Sequence, residues 1–145
     1  MKKTIFLSAA AFIISVAAVA QCGKSVTWTG TKTEFMDENG NLQRTDNGKV
    51  QCRMDDKSIV FVHNDEENDA ISGDIKDLSC QWQEPFKNGK TSFSSQLQES
   101  SGDLKDGKIT IEGKDGKINI YLDISAPDGR KMKVKFYVDS FEEKG

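Results

Sequence analysis

The chain carries one histidine, His63, and a run of polar and acidic residues follows it directly. A histidine beside carboxylates can bind a metal ion or transfer a proton, because imidazole and carboxylate groups serve both purposes. The other interpretation of residues 64–69 is an acidic loop that stays in solvent through its own repulsion. We favour the loop, because clustered like charges between two strands usually stay solvated. The chain also has no HExxH pattern, no nucleophile elbow and no glycine-rich phosphate loop. The sequence therefore predicts a protein that is not an enzyme, with no catalytic residue, cofactor or metal.

The three cysteines, Cys22, Cys52 and Cys80, allow one disulfide and leave one sulfur over. A disulfide between Cys52 and Cys80 is our prediction, because both cysteines lie inside the region of regular strand pattern. The other pairings remain open, as do three unpaired thiols. Zinc binding is not predicted, since the chain has no CxxC pair and a single histidine.

Residues 1–20 have the features of a secretory signal peptide. Lys2 and Lys3 precede an apolar run, which ends in the small residues of Ala18-Val19-Ala20. Cleavage after Ala20 leaves residues 21–145, a single domain that we expect in the periplasm or outside the cell. Gln21 stands directly before Cys22 and departs from the lipoprotein pattern, which argues against a lipid anchor on that cysteine. No later segment approaches the roughly 20 apolar residues of a membrane-spanning helix, so no membrane span is expected.

The charge of the chain argues against nucleic acid as a partner. Removal of the leader takes away two of the 20 basic residues and none of the 23 acidic ones, which leaves a net charge of −5. Proteins that bind nucleic acid need an excess of positive charge against the phosphate backbone. We therefore expect other partners.

The clearest structural pattern lies between Asp106 and Ile124. Isoleucine and leucine alternate there with polar residues on both sides of Asp115-Gly116. Because successive side chains of a strand point to opposite faces, this pattern predicts a β-hairpin with one aliphatic face. Asp-Gly suits the tight turn between its strands.

Similar short alternating segments and turn residues recur along the whole of residues 21–145. They predict an all-β antiparallel meander of about eight to ten strands. An open sheet of that size would expose its edges and one apolar face, so we expect a barrel or a two-sheet sandwich.

In length, leader and strand meander, the chain resembles the small lipocalin-like β-barrel proteins. The Gly-x-Trp signature of their first strand is absent, since Val26 stands two residues before Trp28 and the glycine is Gly30. The resemblance implies an interior that holds a small apolar or amphiphilic ligand. We therefore expect a binding protein whose ligand contacts large apolar side chains, unless these side chains simply fill the core. The candidates for ligand contact are Trp28, Phe61, Phe93, Met132 and Phe136.

The alternative function is a protein-interaction module of the cell envelope, such as an inhibitor, an immunity-type partner or a structural component. Aromatic residues and charges on loops suit contacts of this kind. A lysine row on one strand face can equally be an ordinary solvated surface. We expect a monomer, with a contact surface formed by Trp82, Phe86, Lys131, Lys133 and Lys135.

Overall fold

The computed structural model describes residues 24–144, so the predicted signal peptide, its cleavage site and Cys22 lie outside the described residues. These residues form twelve strands and one short 3-10 turn at Glu67–Asp69. No helix among them is long and apolar enough to cross a membrane. The strands are β1 Ser25–Gly30, β2 Lys32–Asp37, β3 Leu42–Asp46, β4 Val50–Met54, β5 Ser58–His63, β6 Ile71–Asp74, β7 Lys76–Glu84, β8 Asn88–Gln98, β9 Leu104–Lys114, β10 Lys117–Ser125, β11 Lys131–Tyr137 and β12 Ser140–Lys144.

The hairpin predicted from the isoleucine pattern is formed by β9 and β10. Buried and more exposed side chains alternate along both strands, and Ile111 lies opposite Ile120. Asp115 and Gly116 make the turn with positive φ angles of 51° and 81°, a conformation that glycine adopts without strain. The alternation therefore places the aliphatic side chains of this hairpin in one buried face.

The twelve strands combine into eight long ones, because four pairs of neighbouring strands are the halves of bent strands. These pairs are β1 with β2, β3 with β4, β6 with β7, and β11 with β12. All pairings are antiparallel, and the hydrogen-bonded order is β12-β1-β4-β5-β6-β8-β9-β10-β11-β2-β3, with β7 also beside β8. The predicted all-β antiparallel meander is confirmed.

The sheet curls around one interior. The pairs β1 with β12 and β2 with β11 join the first long strand to the last one, and β1 also pairs with β4. Among the described residues, β3 pairs only with β2, so the other edge of β3 is free. We call the end of the sheet with turns at 38–41, 64–70, 99–103 and 126–130 the open end, and the opposite end the packed end.

Aromatic side chains fill the interior at the packed end. The ring of Phe86 lies 6.4 Å from that of the buried Trp28 and 5.5 Å from that of the buried Trp82, and 5.2 Å from that of Phe141, which is exposed at the rim, measured between ring centres. Tilted and edge-on contacts of this kind are favourable for aromatic rings. The indole nitrogen of Trp82 donates a hydrogen bond of 2.8 Å to the Thr91 hydroxyl. The packed end is therefore a tightly packed core.

Candidate functional site

A cavity of about 430 Å³ occupies the interior toward the open end. This volume falls within the range of small-molecule binding sites in proteins. Each of the eight long strands contributes to the lining, so the whole curled sheet surrounds the space. The apolar lining residues are Phe35, Val50, Phe61, Val62, Ile71, Leu97, Leu122, Ile124, Met132, Val134 and Phe136.

Strand register explains why the cavity wall formed by β10 and β11 is apolar. Leu122 lies opposite Val134, and Ile124 lies opposite Met132. Cross-strand partners point to the same face of a sheet, so these four side chains form one continuous apolar surface. The lysines and Asp123 that alternate with them point to the outer face.

Polar lining residues are fewer than apolar ones, and the charged ones cluster toward the open end. The polar lining residues, charged and uncharged, are Thr33, Arg44, Asp46, His63, Asp69, Glu99 and Lys105. An apolar interior with a charged mouth suits a ligand that has one apolar part and one polar part.

Most charges at the mouth are paired with one another. Lys105 forms an ion pair with Glu99, and His63 Nε2 lies 3.4 Å from Asp46 Oδ2. The backbone N–H of Gly48 donates a hydrogen bond of 2.7 Å to Asp46, and this bond, assisted by the nearby His63 and Arg44, lowers the pKa of that carboxyl group. Asp46 is therefore held as a carboxylate, mainly by the hydrogen bond from Gly48.

Arg44 differs from the other charged residues at the mouth. Its guanidinium carbon lies 4.2 Å from the centre of the Phe35 ring, which is part of the cavity wall. No carboxylate of residues 24–144 forms an ion pair with it. The cation is thus held by ring stacking, and its hydrogen-bond donors stay available.

A polar atom also lies within the cavity wall. Thr33 is 7% exposed, and its hydroxyl has no hydrogen-bond partner among residues 24–144. Buried hydroxyl groups are usually hydrogen-bonded, because burying one without a partner costs free energy. Thr33 can therefore serve a polar group of a bound molecule.

Three of the five residues predicted to contact a ligand line the cavity: Phe61, Met132 and Phe136. Trp28 and Phe93 do not belong to the lining and are almost fully buried in the hydrophobic core. Trp28 packs against Phe86 at the packed end. Both side chains face the interior, as predicted, but they lie closer to the packed end than the cavity does.

Trp82 and Phe86 do not lie on an exposed surface, which corrects their predicted placement. They are 9% and 8% exposed. Strand β7 extends through Trp82 to Glu84, and Trp82 pairs with Gly89 of β8. Phe86 has a positive φ of 55° in the following turn, and its ring packs onto Trp82.

The lysine row lies on the outer face of β11, as its alternation predicts. Lys131 and Lys133 are exposed. The ammonium group of Lys135 lies 4.4 Å from the ring centre of Tyr137 and 5.7 Å from that of Tyr121. The hydrogen bond to Tyr137 is the main cause that raises the pKa of Lys135. This lysine therefore has partners on its own sheet.

The predicted disulfide between Cys52 and Cys80 is wrong. Cys52 is a free, fully buried thiol whose pKa is raised by burial, whereas Cys80 is disulfide-bonded. Cys52 lies on β4 and Cys80 on β7, the continuation of β6, and β5 lies between β4 and β6 in the hydrogen-bonded order. Inclusion in the same patterned region does not bring two cysteines together in so large a sheet.

Sequence reasoning missed Thr33, Phe35 and Arg44. All three lie in segments that were predicted only as short strands. The alternation of Thr33 and Phe35 places them on one face, but no sequence signal indicates that this face lines a cavity. Arg44 has no sequence signal at all, since its role depends on its cross-strand neighbour Phe35.

Within residues 24–144, no three side chains of the histidine, cysteine, aspartate and glutamate types lie together as a metal ion would require. Comparison of the chain with protein-family models, with curated proteins and with solved structures gives no match.

Proposed function

We propose that this protein binds a small amphiphilic molecule, with the apolar part of the ligand inside the cavity and its polar part at the open end. The observation that carries the proposal is the 430 Å³ cavity, which is lined mainly by apolar side chains and surrounded by all eight long strands. The free edge of β3 borders the same end. The signal peptide expected from the sequence, and the resemblance to lipocalin-like proteins, support a monomeric carrier in the periplasm or outside the cell.

Binding, not catalysis, is the activity that these residues support. Cys52 is buried and its pKa is raised, so its sulfur is held as a thiol and not as the nucleophilic thiolate. The single histidine lies at the mouth beside Asp46, where it contributes to the polar rim. We therefore assign the cavity to ligand binding without a chemical step.

Aliphatic alcohols of increasing length test the proposal. Each methylene group transferred from water into an apolar site contributes about 0.8 kcal/mol, which is about fourfold in affinity. Titration calorimetry of octanol, nonanol and decanol should therefore show affinity rising by up to about fourfold per carbon until the chain fills the cavity. The alcohol concentrations must stay below those at which the alcohols aggregate.

A matched pair of variants assigns the binding to the cavity. Met132→Trp places a larger side chain in the cavity lining and should reduce decanol affinity by at least about tenfold. Lys133→Trp adds the same side chain to the exposed outer face of the same strand and should leave the affinity unchanged. Absence of alcohol binding by the wild type, or equal affinities in the two variants, would contradict the proposal.

A further inference from the structure

One cation at the mouth, Arg44, has no ion pair with any carboxylate of residues 24–144. Lys105 is paired with Glu99, and His63 lies beside Asp46. Asp69 accepts a hydrogen bond of 3.4 Å from the Ser100 hydroxyl. Only Arg44 among the basic residues of the cavity lining has no carboxylate partner within residues 24–144.

Arg44 is also oriented before any ligand binds. Its guanidinium group stacks 4.2 Å from the ring centre of Phe35, so the cation is held against the apolar wall. A stacked guanidinium still presents its N–H groups at the edge of its plane, and these match the two oxygens of a carboxylate. The guanidinium group is therefore a preformed hydrogen-bond donor for a planar anion at the end of an apolar chain.

Thr33 supplies a second polar contact in the same region. Thr33 lies on β2, where its cross-strand partner on β3 is Asp46. Asp46 follows Arg44 by two residues along β3. The Thr33 hydroxyl is buried in the cavity wall without a partner among the described residues. When the Thr33 side chain rotates its hydroxyl toward the cavity, a carboxylate oxygen below the guanidinium group can accept a hydrogen bond from it.

We propose that the natural ligand is a long-chain carboxylate, with its head group bound by Arg44 and Thr33 at the open end and its aliphatic chain in the cavity. This inference rests on the proposed binding function and names its ligand class. A single cation without an ion pair, with the carboxylates of Asp46, Asp69 and Glu99 in the same lining, favours a monoanion over a doubly charged phosphate.

The test compares three ligands that share one chain and differ in head-group charge: decanoate, decanol and decyltrimethylammonium. At neutral pH the wild type should bind decanoate most tightly. Arg44→Gln keeps a polar side chain but removes the charge, and should weaken decanoate binding about tenfold while decanol affinity changes less than about twofold. Raising the salt concentration should weaken decanoate binding alone, because Arg44 is exposed to solvent.

Arg53→Gln is the matched control. Arg53 lies on β4, pairs with Glu67 and is not part of the cavity lining, so this variant should bind decanoate like the wild type.

The outcomes separate the two proposals. Binding of decanol, together with decanoate affinity that Arg44→Gln leaves unchanged, would overturn the carboxylate assignment and leave the cavity function intact. Tighter binding of decyltrimethylammonium than of decanoate by the wild type would overturn it as well. Failure of all three ligands to bind would contradict the proposed function itself.

Discussion

Thr91 gives the packed end a hydrogen bond in the middle of its aromatic core. Its hydroxyl accepts the indole N–H of Trp82 at 2.8 Å, and the contact is buried. When a buried N–H group loses its acceptor, no hydrogen bond offsets the free-energy cost of removing that group from water. The orientation of the Trp82 ring, and with it the packing of Phe86, therefore depends on this one hydroxyl.

Replacement of Thr91 by valine should lower the free energy of unfolding by about 2 kcal/mol, because valine keeps the shape of threonine but cannot accept the hydrogen bond. Thr91→Ser keeps the hydroxyl and should cost about 1 kcal/mol, through the loss of one methyl group. Urea unfolding followed by tryptophan fluorescence measures both. A valine variant as stable as the wild type would show that the hydrogen bond does not contribute.

At the scale of residues, the sequence predicts which side chains point inward but not what they contact there. The period of two places Trp28, Phe61, Phe93 and Phe136 on the interior face, and all four are found there. Whether an inward side chain lines the cavity or fills the core depends on its height between the two ends of the sheet. That height depends on pairings between segments far apart in the chain, which alternation alone does not contain.

At the scale of elements, the bend between β1 and β2 decides how the first long strand reaches both of its neighbours. Gly30 stands at the bend, where its backbone approaches β11 closely. A Cβ atom added there would lie 1.9 Å from the backbone oxygen of Tyr137 and 2.8 Å from the ring of Phe136. No side chain fits this contact, so the bend requires glycine.

Gly30→Ala should therefore destabilise the protein by about 3 kcal/mol, the cost of forced overpacking. Gly40→Ala is the control, since a Cβ at Gly40 meets no atom within 4 Å, and only the positive φ of 85° opposes it. The control should lose about 1 kcal/mol. Equal losses in urea unfolding would show that strand β11 moves away from the bend without cost.

Strongly alternating elements were predictable, and the segment around Trp82 was not. The hairpin of β9 and β10 and the strand β11 lie where the alternation predicts them, because each has local apolar periodicity. Pro85 has no N–H group for a central strand and so argues against a strand near Trp82, yet β7 runs to Glu84 and pairs with β8. The proline lies just beyond the strand, where its missing N–H is not needed. Pairing with β8 thus outweighs the weak local pattern of this segment.

At the scale of the whole molecule, the two ends of one curled sheet have different roles. Large aromatic rings fill the packed end, whereas the open end combines short strands, a free edge of β3 and a cavity. The hollow part could not be predicted from composition, since apolar residues of the same types line it and fill the core. The difference arises from where the bulky rings fall along the sheet.

The measurement that tests this account most directly is nuclear magnetic resonance of the protein titrated with decanol. We predict that the methyl signals of Ile124 and Met132, which line the cavity, shift as decanol is added. The indole N–H signals of Trp28 and Trp82, which lie at the packed end, should stay in place. Shifts confined to the indole signals or to outward-facing methyl groups, or no shifts at any decanol concentration below aggregation, would contradict the assignment of ligand binding to the open end.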